Sequence, residues 1–126
     1  MNRQAIFPSG RPGPIAPYSP GIRFGNLLFT AGAVGTDIEG KVPTDIRQQA
    51  RNTMENLRAV LQAAESDFNR VLKATVYLVD MKDFAAMNEV YRSYFSGDLP
   101  ARTTVGVSAL ARPELRIEIE MVASVP

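Results

Sequence analysis

The chain of 126 residues carries 45% hydrophobic residues and a formal net charge of +1, enough for one hydrophobic core and no charge footprint for a nucleic-acid backbone. It has no cysteine and no histidine, which excludes disulfides, thiolate catalysis, histidine triads and histidine-bearing zinc sites; acid and base work falls to Asp, Glu, Lys, Tyr or bound water. No apolar run approaches membrane-spanning length and the N-terminal stretch is not a signal peptide, so a soluble cytoplasmic protein with one domain over residues 1–126 is expected.

Arg3 to Phe7 is a candidate first strand, followed by an irregular loop through Pro8-Ser9-Gly10-Arg11-Pro12-Gly13-Pro14 that can sustain neither a helix nor a central strand. Ile22-Arg23-Phe24 and Leu27-Leu28-Phe29-Thr30-Ala31 read as two strands joined by a tight turn at Gly25-Asn26. Gly32 and Gly35 then read as turn residues, because the context of a dinucleotide-binding glycine loop is missing. Asp37 and Glu39 are too few to argue for a metal.

From Thr44 onward, Ile46, Ala50, Met54, Leu57, Leu61 and Ala64 recur at helical spacing. Val71 to Val79 is rich in β-branched residues and reads as a strand. Asp80 or Asp83 can cap a second helix whose stripe is Phe84, Met87, Tyr91, Tyr94 and Phe95, with Gly97 and Pro100 ending it. Two last strands, about Arg102 to Ala109 and Leu115 to Ala123, are joined by a loop containing Arg112 and Pro113. This order suits an α+β fold: a mixed, mainly antiparallel sheet with two helices on one face. The other face is left to solvent or another subunit, and the apolar content of the strands favours an oligomer.

If the last two strands form a hairpin, matching their apolar faces places Arg102 across from Glu120 and Thr104 across from Glu118. From spacing alone the favoured reading is a cross-strand salt bridge, contributing roughly 0.2 to 1 kcal/mol. The functional alternative is that Arg102 offers its fork of donors to a substrate carboxylate while a neighbouring glutamate orients a water. Tyr18, in the rigid Ala16-Pro17-Tyr18-Ser19-Pro20, is either a packing aromatic or a phenol directed into a cleft. Asn88 reads as a water-facing residue of the second helix, with ligand or partner contact as the alternative.

Taken in order, Ala16-Pro17-Tyr18-Ser19, Gly25-Asn26-Leu27 through Thr30-Ala31-Gly32, the two helices, Pro100-Ala101-Arg102-Thr103 and Ile117-Glu118-Ile119-Glu120 resemble the RidA/YjgF family of imine/enamine deaminases. The resemblance covers nearly the whole chain. It implies a chorismate-mutase-like fold and a homotrimer whose sheets form a central barrel, with active sites in clefts between subunits. It also implies hydrolysis of reactive 2-imino or 2-enamino acids to 2-oxo acids and ammonia without metal or cofactor, a form of metabolite damage control. By the same match Arg102 would anchor the substrate carboxylate and Glu118 would position water. Tyr18 and Asn88 would line the cleft, and Gly32 and Thr104 would supply backbone contacts.

Two departures stand out. Many relatives have Ser-Gly-Gln where this chain has Ala31-Gly32-Ala33, and Tyr-Ser-Gln where it has Tyr18-Ser19-Pro20. The loop from Ala109 to Glu114 is about one residue longer than usual, and the Ile-Glu-Ile-Glu register then matches Glu118 to the family's carboxylate. Alternative expectations are a non-catalytic ligand-binding or protein-interaction member, chaperone-like or translation-linked, or a deaminase of another substrate in a degradation pathway. No nucleic-acid or membrane partner is expected.

Overall fold

The structure, a computed structural model, describes residues 2–126. The elements in chain order are β1 (Gln4–Ile6), β2 (Gly21–Phe24), β3 (Leu27–Thr30), β4 (Ala33–Val34), α1 (Ile46–Ala63), β5 (Val71–Leu78), α2 (Phe84–Arg92), β6 (Ala101–Gly106) and β7 (Ile117–Ser124). All seven strands form one sheet in the order β1-β2-β3-β7-β5-β6, with β4 also paired to β7. Every pairing is antiparallel except β5 with β6, which α2 joins as a crossover.

Helix α1 forms where the apolar spacing predicts it. The Asp45 side chain accepts a hydrogen bond from the Gln48 backbone N–H at 3.2 Å, satisfying one of the free donors of the first turn. Its buried stripe, with Ala50, Met54, Leu57 and Leu61, meets Met87 and Tyr91 of α2 over the inward residues of the sheet. Those inward residues are Ala74, Val76 and Leu78 of β5 and Ile117, Ile119, Met121 and Ala123 of β7. Each leucine fully buried in this layer contributes about 1.5–3 kcal/mol. Both helices therefore cover one face, and the alternate residues Glu118, Glu120 and Val122 look out from the other.

The structure departs from expectation in four places. The last two strands are not a hairpin, because β5 lies between them: Ala74 pairs with Arg102 on one side and Met121 on the other. Residues directly across a ladder share a face, so the intervening strand reverses the parity assumed for direct pairing. Arg102 and Thr104 lie on the helix-covered side, whereas Glu118 and Glu120 lie on the open side, and no cross-strand salt bridge joins them among the described residues.

Helix α2 ends at Arg92, short of Gly97. The Ser93 hydroxyl donates to the Val90 carbonyl, and Tyr94 and Phe95 pack on Phe68 from the turns that follow. Asp80 caps only a short 3-10 turn at Met81–Asp83, while Asp83 makes no cap and instead accepts two hydrogen bonds from Arg116. Finally, Ala33-Val34 is a strand where a turn is expected, and neither Gly32 nor Gly35 has a positive φ.

Candidate functional site

The first cluster forms around Arg102. Strand β6 begins directly after Pro100 and sends the Arg102 side chain under α2. One guanidinium nitrogen donates to Asn88 Oδ1 at 2.8 Å, and another approaches Met87 Sδ at 3.9 Å. The guanidinium carbon lies 4.9 Å from the centre of the Tyr91 ring and 5.8 Å from that of Phe84, so two π faces and an amide fix its plane. A guanidinium has five N–H donors, and these contacts engage two, leaving the rest for a carboxylate. The adjacent cavity, about 320 Å³, is lined by Asn88, Tyr91, Arg92, Leu99, Pro100 and Arg102. Burial pushes the Tyr91 phenol up, and the charge of Arg102 offsets part of that rise. Thr104 shares the Arg102 face of β6, and its hydroxyl has no partner among the described residues.

The second cluster forms around Glu118, at a break in the sheet. Strand β3 pairs with Val122–Ser124 of β7 and β4 with Glu118–Ile119, so the chain bulges at Ala31-Gly32 between the two ladders. The Thr30 hydroxyl fills the gap by accepting from the Met121 N–H at 2.9 Å. In the bulge, Gly32 lies against the Glu118 carboxylate: a Cβ on Gly32 would stand 2.2 Å from Glu118 Oε2. Only a residue without a side chain leaves that carboxylate its place.

Partial burial raises the Glu118 pKa, and the nearby charge of Glu120 adds to the rise. Tyr77 is the β5 residue directly across from Glu118, yet its hydroxyl donates to Glu120 Oε1 at 2.6 Å. That bond is the main reason the Tyr77 phenol itself is pushed up.

Tyr18 lies with Gly32 and Ala33 around a cavity of about 250 Å³ between α1 and the proline-rich loop. Tyr18 is exposed, at 52% of its surface. Asn56 of α1 secures this wall by donating to the carbonyls of Val34 and Thr36 at 2.9 and 3.0 Å and by accepting from Arg11.

The sequence-predicted residues thus fall into two groups. Asn88 and Thr104 accompany Arg102, and Tyr18 and Gly32 accompany Glu118 or its adjoining wall. Within one chain the two groups occupy different faces of the sheet. Asn88 does not simply face water, since it restrains the arginine. Sequence reading missed Tyr77, Tyr91, Phe84 and Arg11 as neighbours of the site. Of these Phe84 and Tyr91 carried a usable signal, lying four and three residues from Asn88 at helix-neighbour spacing within the same apolar stripe.

Among the described residues no cluster of acidic side chains has the arrangement of a metal site, and no helix is long and apolar enough to cross a membrane.

The sequence model of a family described as Endoribonuclease L-PSP matches residues 9–125. A RutC family protein of Pyrococcus horikoshii is 49% identical over 123 residues, covering 96% of this chain and 97% of that one. The mouse 2-iminobutanoate/2-iminopropanoate deaminase is 41% identical over 123 residues, covering 96% of this chain and 90% of that protein. A crystal structure of Escherichia coli TdcF with bound serine superposes with a TM-score of 0.92 at 34% identity, covering 98% of this chain and 99% of that one. With a family model that spans residues 9–125 and likeness of this extent in both sequence and structure, the chain belongs to the Endoribonuclease L-PSP family, which is the YjgF/RidA family.

Proposed function

We propose that this protein hydrolyses 2-imino and 2-enamino acids to 2-oxo acids and ammonia, using its own side chains and no cofactor. The observation that carries the reading is the restrained Arg102, whose remaining donors border an open cavity sized for a small acid. Relatives named 2-iminobutanoate/2-iminopropanoate deaminase, at 41% and 38% identity, supply the substrate class.

In this reading Arg102 grips the substrate carboxylate and so fixes the imine carbon. Glu118 holds a water and takes its proton as the oxygen attacks that carbon, with the C=N electron pair passing to nitrogen. Starting from the protonated imine, this leaves a neutral amine to which Glu118 returns its proton; the C–N bond then breaks with its electron pair leaving on ammonia, and the hydroxyl proton passes to solvent as the C=O bond of the 2-oxo acid forms. An imine is already electrophilic, so orientation and one base suffice without histidine.

Because Arg102 and Glu118 lie on opposite faces of the same sheet, a working site needs Arg102 from one copy and Glu118, Gly32 and Tyr18 from a neighbour. We therefore favour a homotrimer of chorismate-mutase-like subunits, built through the open sheet face. That face carries Phe29 at 44% exposure and Val105 at 39%, apolar surface of the kind such an interface buries. The protein would work in the cytoplasm, clearing reactive by-products of pyridoxal-phosphate enzymes.

The test is a coupled assay in which a pyridoxal-phosphate dehydratase makes 2-aminoacrylate or 2-aminocrotonate and 2-oxo acid appearance is followed. Wild type should accelerate it, and Arg102→Ala should lose about 2 to 5 kcal/mol of transition-state stabilisation, about thirtyfold or more in rate. Absence of acceleration over both substrates would remove the reading.

A further inference from the structure

The open face of β7 carries two glutamates, and the geometry treats them differently. Glu118 stands over the bare Cα of Gly32, partly removed from water, with no hydrogen-bond donor and no cation on its carboxylate among the described residues. Tyr77 is its phenolic neighbour on β5. It is paired directly across from Glu118 in the ladder but gives its proton to Glu120, at 2.6 Å.

We propose that Tyr77 and Glu120 are a positioning pair for the hydrolytic reaction: Tyr77 fixes Glu120 as a stationary anion, and Glu118 remains the one unbonded carboxylate on this face. The inference rests on the reading of Glu118 as the residue that activates water.

The electrostatics act in the same direction. A fixed negative charge beside a carboxylate disfavours its ionised form, so Glu120 raises the proton affinity of Glu118 beyond what burial achieves. A base that binds its proton more strongly accepts one from water more readily. Within the chain, the other groups facing Glu118 do not counter this. Across from it on β5 is Tyr77, already engaged; on the same face of β5, Thr75 lies across from Glu120 and Lys73 across from Val122, with the Lys73 ammonium donating to Thr103 at 3.0 Å in β6. Gly32 and Val34, on the bulge and β4, bring no charge, and neither do Thr103 and Val105 on β6. The chain's own Arg102 points to the opposite face, and a neighbouring copy's Arg102 brought to the site is common to all four variants, so it leaves their comparison unchanged.

The experiment is the pH dependence of kcat/KM for hydrolysis of dehydratase-generated 2-aminocrotonate, with the spontaneous rate subtracted, for Glu118→Gln, Glu120→Gln, Tyr77→Phe and the Tyr77→Phe/Glu120→Gln double variant. Glu118→Gln should be inactive. Glu120→Gln should stay active with its acid limb displaced to lower pH, because the neighbouring charge that raises Glu118 is gone. Tyr77→Phe should move the limb the same way by less, since a released Glu120 drifts from its like-charged neighbour, and should have no further effect in the Glu120→Gln background.

An acid limb unchanged in both Glu120→Gln and Tyr77→Phe, with Glu118→Gln dead, would overturn the positioning role and leave the reading of Glu118 intact. Retained activity in Glu118→Gln would sink that reading and the pair with it. Should Glu120→Gln fail to fold, Tyr77→Phe removes a single oxygen and its limb decides alone.

Discussion

Gly32 and Gly35 flank the same short strand, and each lacks a side chain for a different reason. A methyl group on Gly32 would strike Glu118 Oε2 at 2.2 Å, the far end of a flexible side chain that can rotate away. Gly32→Ala should therefore stay within about 0.5 kcal/mol of the parent in urea unfolding, while imine hydrolysis collapses because the carboxylate has been displaced. A methyl group on Gly35 would meet the backbone of α1, with Gln49 Cα and O both at 2.9 Å, and backbone inside a helix has nowhere to go. Gly35→Ala should cost about 1 to 3 kcal/mol in the same unfolding experiment. The opposite pattern, a stable but active Gly32→Ala, would show that Glu118 need not sit where the bulge holds it. Neither role was legible beforehand, because a Gly-x-x-Gly spacing looks like turn chemistry. The atoms that exclude a Cβ belong to residues far along the chain or to another element. Arg102, Glu118 and Glu120 drew notice as charged residues of alternating strands, but it was the family resemblance that assigned roles and singled out Glu118 over Glu120. Their mutual geometry was not legible.

Among the elements, α1 is the organiser. Its apolar period was plain in the sequence, but its most connected residue is polar. Gln49 is fully buried, donating to the carbonyls of Pro43 and Glu114 at 2.8 and 3.0 Å and accepting from the Arg116 N–H at 2.9 Å. It thereby ties the loop before β7 to the helix, and Arg116 extends the tie to Asp83 at 2.6 Å. Gln49→Leu keeps the volume but strands backbone groups out of water, and should lower the unfolding free energy by about 1 to 3 kcal/mol, read as a shift in denaturant midpoint. Helix and strand identities were readable wherever a period ran for two turns or several alternations, as in α1, β5 and β7. They were lost where the element is only Ala33-Val34, and at Arg92, where apolar residues continue past the last helical turn and pack from turns. Strand adjacency was lost altogether between β6 and β7. Local pattern says which face of a strand is apolar, but nothing in it announces that β5 will be inserted between two neighbours in sequence.

For the whole molecule, that insertion separates Arg102 from Glu118 and sets a test of assembly. If each site draws Arg102 from one copy and Glu118 from the next, mixing two inactive variants, Arg102→Ala and Glu118→Gln, lets an intact pair form wherever the right neighbours meet. Random reassembly of an equal mixture should recover about a quarter of the wild-type sites, since each of the two positions is correct half the time. Recovery of no activity after unfolding and refolding the mixture together would place both residues' work within one chain. The same topology also governs how the chain comes to be folded. Strand β7 comes after all the other strands in chain order, yet it lies in the middle of the sheet, bonded to β3, β4 and β5. A nascent chain still holding residues 117–124 inside a ribosome has two sheet fragments with open edges and nothing to join them. The strand that closes the sheet is also the one that delivers Glu118, so the finished scaffold and the carboxylate arrive together.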